Sequence, residues 1–330
     1  MSHKKNIRFK VEAKTGKLVR KFNVKLVVEL DENDMRWFSH IDNPKEETEE
    51  FYLFIEEIFS TAFQIIINGR SHMFEKVYSS RFNLDFTVYT KNMFEGKEVN
   101  KYYIYVGVKH KKENLVVEPR DNNLFMMVPT NLLLGQFNNY KNKKQNKKEI
   151  ILEITTAVIH EMTHLLDPLA AKILRQEIKE ITELDLLRVE GLATFQQTIY
   201  EPKEFIIVGK IKSYHQNIKR YFDYNLKQIK GDAYYFGFYM CLIMFTHFIK
   251  EKNNALYEQL YQVVFSGNPD YEILFAELKK DETRRLSVIF KQIVARQSTK
   301  TFFKKFYETA IVLKLDLACL PEIKELIEKL

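Results

Sequence analysis

Apolar and polar residues alternate through "NIRFKVEAKTGKLVRKFNVKLVVEL", residues 6–30. A period of two puts successive side chains on opposite faces of a strand, and the Thr15-Gly16 break predicts a hairpin. The period then changes. "EETEEFYLFIEEIFSTAFQIII", 46–67, carries apolar residues at helical spacing and acidic residues in its first turn, so it predicts a helix. "FNLDFTVYT" (82–90), "KYYIYVGVK" (101–109) and "NLFMMVP" (123–129) are rich in aromatic and β-branched residues and predict strands. From about residue 148 nearly every apolar pattern is helical. "KEIILEITTAVIHEMTHLLD" (148–167), "EITELDLLRVEGLATFQQTIY" (180–200), "AYYFGFYMCLIMFTHFI" (233–249), "RRLSVIFKQIVARQ" (284–297) and "PEIKELIEKL" (321–330) make up the series. The expected fold class is α+β, with a sheet-bearing N-terminal lobe (1–140) followed by a mostly helical C-terminal lobe (141–330).

The break between the two falls at the lysine-rich stretch "KNKKQNKK", 141–148, the densest basic run in a chain of net charge +7. Such a run reads first as a solvated loop and only second as a hold for nucleic acid or an acidic partner. Apolar content of 45% with 29% charged residues is globular composition and excludes a disordered chain. The two cysteines, Cys241 and Cys319, have no ligand-type spacing, so neither a disulfide framework nor a cysteine zinc site is expected. The start has no apolar stretch of signal-peptide type. The 233–249 segment contains Gly237, Thr246 and His247 and reads as a buried core helix rather than a membrane span. A cytoplasmic location is the expectation.

"AVIHEMTHLLDP", 157–168, changes the picture. Residues i and i+4 stand one above the other on a helix, so His160 and His164 can converge on one metal ion. Glu161 sits beside that face and can serve as the base for a water whose pKa a metal has lowered. Two buried neutral histidines and an exposed glutamate are the bland alternative. Embedding those groups among Val158, Ile159, Met162, Leu165 and Leu166 is costly without a metal or good partners.

A catalytic zinc needs a third protein ligand and an open position. Asp167 follows too far along the same straight helix to close on the ion with both histidines, and reads as the N-cap of a helix opening at Pro168. Glu190 fits better, as an isolated carboxylate between Val189 and Leu192. Gly191 beside it admits another backbone, which suits a helix crossing the HEMTH helix there. Glu183 and Asp185 are the competing carboxylates, in a stretch that reads as solvated.

His160-Glu161-Met162-Thr163-His164 followed by Glu190-Gly191-Leu192-Ala193 resembles the gluzincin metallopeptidases: thermolysin-like, aminopeptidase N-like and the looser peptidase MA-like group. The likeness is specific over roughly 150–240 and absent over 1–130. It implies a zincin-type catalytic lobe, an active site in the cleft between the lobes, and one Zn²⁺ per chain. His160, His164 and Glu190 would be ligands and Glu161 the base. Where thermolysin-like enzymes place an aspartate four residues past the glutamate ligand, this chain has Thr194, which leaves the partner of His160 unassigned. The Y-x-x-G segment of aminopeptidase-like relatives matches Tyr234 to Gly237, so the likeness implies Tyr234 as oxyanion donor, with Tyr235 and His215 as alternatives. It also implies a substrate-binding edge strand, for which 123–129 is the nearest equivalent.

The G-x-M-E-N motif with which the aminopeptidase-like members of the resembled family recognise a free peptide N-terminus is missing. The expected activity is therefore endo- or oligopeptidase cleavage of a peptide or protein substrate. The alternatives are a non-catalytic binding protein using the basic loop, and a structural zinc site that would leave Glu161 without a role.

Overall fold

In a computed structural model the described residues are 3–15, 18–39, 42–78, 83–91, 105–108, 123–167, 169–170, 181–199, 225, 233–265 and 298–329. The opening alternation forms two long strands, β1 (His3–Thr15) and β2 (Leu18–Leu30), paired antiparallel from Thr15–Leu18 to His3–Leu30. Ile7, Val11 and Ala13 of β1 and Phe22, Val24, Leu26, Val28 and Leu30 of β2 are buried. Those positions share one face at a period of two, so the hairpin expected around Thr15-Gly16 is present and its register follows from the apolar pattern.

Two helices follow, α1 (Glu32–Ser39) and α2 (Pro44–Tyr78). α2 extends well beyond the expected 46–67 and buries Phe51, Ile55, Ile58, Phe59, Ala62, Phe63 and Ile66, a stripe at spacings of three and four. That stripe faces the sheet: the Phe63 ring lies 6.2 Å from Phe22 and 5.1 Å from Phe86. Each such ring contributes on the order of 1.5–3 kcal/mol by burial.

The remaining strands are β3 (Asn83–Lys91), β4 (Tyr105–Val108) and β5 (Asn123–Pro129). The five-stranded sheet has the order β1-β2-β3-β5-β4, with β2–β3 and β3–β5 parallel and β4–β5 antiparallel. The strand expected to be a free edge, 123–129, is thus interior. β4 pairs with it from Leu124 to Met127, and the four-residue β4 takes the edge instead.

Helix α3 (Thr130–Lys141) continues directly from β5, and α4 (Lys147–Leu166) follows a short turn with Lys143 at φ 55°. α4 opens on a capping box. The Glu149 N–H donates to Asn146 Oδ1 at 3.0 Å, and the Asn146 N–H donates to Glu149 Oε2 at 3.0 Å. The lysine-rich stretch is therefore a helix end, a turn and a helix start rather than a loop. Lys141 is ion-paired with Glu47 and Glu50, and Lys147 with Glu57.

The chain divides into two compact units, Met1–Met162 and Thr163–Leu330, so the division falls inside α4 and not at the lysines. The first unit carries the sheet. The second is helical in its described residues: α5 (Glu183–Ile199), α6 (Ala233–Lys252), α7 (Asn254–Phe265), α8 (Thr299–Val312) and α9 (Leu320–Lys329). The architecture is α+β, as expected. α6 is its central helix, buried from Phe236 through Phe245 and packed by α5, α7 and α8.

α5 and α6 cross backbone on backbone. A Cβ at Gly191 would stand 2.2 Å from Gly237 Cα, and a Cβ at Gly237 would stand 2.2 Å from Leu187 O. The close approach expected at Gly191 is real, but the helix that makes it is α6. Residues 284–297 lie outside the described residues. Among the described residues no helix is long and apolar enough to cross a membrane.

Candidate metal centre

The last turns of α4 bury Val158, Ile159, Met162 and Thr163, and with them His160. A helix holds side chains four apart on one face, and His160, Glu161 and His164 offer ligand atoms that all lie within 4.8 Å of one another. Among the described residues this is the group of three that can hold a metal ion.

Glu190, on α5, approaches one member of that group, His164. His164 Nε2 and Glu190 Oε2 are 3.6 Å apart, with 12% and 20% of the two side chains exposed. That separation is longer than an ordinary N–H···O hydrogen bond. Two donors on one tetrahedral ion such as zinc, each about 2.0–2.1 Å from it, stand about 3.3 Å from each other. The donor set fits a divalent transition metal in chemistry and, at His164 and Glu190, in spacing. Partial exposure leaves the carboxylate and imidazole open to water.

Of the competing carboxylates, Asp185 is committed elsewhere. Its carboxylate accepts hydrogen bonds from the Thr182 N–H at 3.0 Å and the Thr182 hydroxyl at 2.7 Å, while its own N–H donates to the Thr182 hydroxyl at 3.1 Å. It accepts from the Thr299 hydroxyl as well, so it starts α5 and ties that start to α8. The side chain of Glu183 lies outside the described residues.

Tyr234 stands in the first turn of α6, 48% exposed and three residues ahead of Gly237. The side chain of Tyr235 and all of His215 lie outside the described residues. Thr194, one turn past Glu190 on α5, is buried.

One pair escaped the sequence reading. Arg188 Nη1 and Nη2 donate to the two carboxylate oxygens of Asp167 at 3.0 and 2.7 Å, with Arg188 0% and Asp167 1% exposed. Asp167 Oδ1 also accepts the Leu169 N–H at 3.0 Å, the bond an N-cap makes, while Pro168 and residues 171–180 lie outside the described residues. Burial pushes the Asp167 carboxyl above its usual range, against the opposing pull of Arg188 and the Leu169 N–H. Burial likewise raises the Cys241 thiol, which lies close enough to feel both charges. The signal available in the sequence was Arg188 itself, a charge set between Leu187 and Val189 in an apolar helix, which requires a partner.

No protein-family model, curated protein or solved structure matches the chain.

Proposed function

We propose that the protein is a zinc-dependent metallopeptidase that cleaves peptide or protein substrates within the chain. The observation that carries this reading is the 3.6 Å approach of His164 to Glu190, with His160 and Glu161 on the same helix as His164. His160, His164 and Glu190 would hold the ion. A zinc ion bound there polarises a carbonyl and makes water acidic enough to react near neutral pH.

The chain's own residues do the rest. Glu161 takes a proton from the attacking water as its oxygen bonds to the peptide carbonyl carbon. It then gives that proton to the amide nitrogen as the C–N bond breaks, so the products are a carboxylic acid and an amine. The Tyr234 hydroxyl donates a hydrogen bond to the carbonyl oxygen as negative charge gathers on it.

The test measures zinc per chain and peptide hydrolysis on purified wild type, Glu161→Gln and Glu190→Ala. Wild type should hold about one zinc. Glu161→Gln should keep that zinc and lose about 10²–10⁴-fold in hydrolysis. Glu190→Ala should lose the zinc, since it removes one of three protein ligands. Near-normal hydrolysis by Glu161→Gln would sink the mechanism, and full zinc in Glu190→Ala would move the third ligand elsewhere.

A further inference from the structure

Buried ion pairs are poor stabilisers. Removing two charges from water carries a large desolvation penalty, and an apolar pair of the same volume often folds as well or better. Asp167 and Arg188 are nonetheless fully buried and bonded through both oxygens and both terminal nitrogens, a two-point fork that fixes distance and angle together. Their places in the chain supply the missing reason. Asp167 follows His164 by three residues, and Arg188 precedes Glu190 by two. The fork therefore joins the segment leaving α4 to α5, close in sequence to His164 and Glu190, which stand 3.6 Å apart.

Apolar helix packing alone tolerates small slides along the axis, whereas a metal site loosens when its ligands move by roughly 0.5 Å. The opposite charges of the pair offset each other in part, so what the fork chiefly adds is a fixed geometry between the segment after His164 and α5. From these positions we infer that Asp167 and Arg188 are positioning residues that hold His164 and Glu190 at metal-ligating separation. The inference rests on the metallopeptidase reading of this site.

The deciding experiment replaces the pair by an apolar one of similar volume, Asp167→Leu with Arg188→Met. Thermal unfolding of the metal-free protein reports the fold, and competition with a chelator reports zinc affinity. The double variant should unfold near the wild-type temperature yet bind zinc about 10–100-fold more weakly, the usual effect of losing a group that orients a ligand. Arg188→Lys keeps the charge and loses the fork, and should also bind zinc more weakly while remaining folded. It carries the test if the double variant does not fold. With cobalt in place of zinc, the absorption bands of tetrahedral coordination should shift in both variants, a change that a purely structural pair would not produce. Wild-type zinc affinity and cobalt spectrum in a folded variant overturn the inference alone. Wild-type protein that takes up no zinc overturns the metallopeptidase reading and this inference with it.

Discussion

At the scale of single residues, a side chain's neighbours in sequence say whether its burial is cheap. His160 and His164 were legible because their spacing puts two imidazoles on one helix face, and Glu190 because a carboxylate between Val189 and Leu192 needs a reason to be there. Arg188 gave the same signal. Its partner is 21 residues away and already had a sufficient role as a cap, so nothing local linked the two. Tyr234 is the residue where resemblance went furthest beyond geometry. Tyr234→Phe removes a hydroxyl from a half-exposed ring, so unfolding temperature and zinc content should not change. One oxyanion donor contributes about 10²–10³ in turnover. That loss should appear in kcat rather than KM in steady-state assays of the zinc-loaded protein. Unchanged kcat would pass the role to Tyr235 or His215.

Elements were legible where the apolar period was long. The β1–β2 hairpin and α2 follow directly from alternation and from a three-and-four stripe. The position of β5 did not, because an edge is a property of the neighbours. β4, some twenty residues earlier, closes that flank, and no pattern within 123–129 can reveal it. The start of α1 shows a local element with a pH-dependent consequence. Asp31 accepts the N–H groups of Asn33 and Asp34, while Asp34 accepts the Asp31 N–H at 3.0 Å. Asp34 is buried, and that burial pushes its carboxyl up to about 6, above the usual value near 3.9. The fold therefore prefers the protonated form. Its contribution to stability is complete below about pH 4 and is lost as pH rises through about 6. Asp34→Asn keeps an acceptor for the Asp31 N–H and removes the titration. Unfolding temperatures measured from pH 4 to 8 should fall less steeply in the variant. Parallel curves would show that the acidity of Asp34 is ordinary.

For the whole molecule, the net charge of +7 is compatible with an anionic partner but does not require one. The lysine-rich stretch looked like the boundary between lobes because composition changes there. Two of its five lysines, Lys141 and Lys147, are instead paired to acidic side chains of α2. Lys143, Lys144 and Lys148 are left exposed. Replacing those three by Ser should leave peptide hydrolysis within about twofold of wild type, because exposed charges are screened beyond about 10 Å at moderate salt. A wild type that binds nucleic acid with a steep salt dependence, absent from the triple variant, would instead support a binding protein. The crossing of α5 and α6 bears on how freely this molecule can vary. Most tight packing can be renegotiated, a larger residue on one side being answered by a smaller one opposite. At Gly191 and Gly237 both sides of the contact are main chain, which has nothing to shed. In a pool of genes randomised at those two codons and sorted for folded protein, the survivors should carry glycine at both, with no compensating pairs among them.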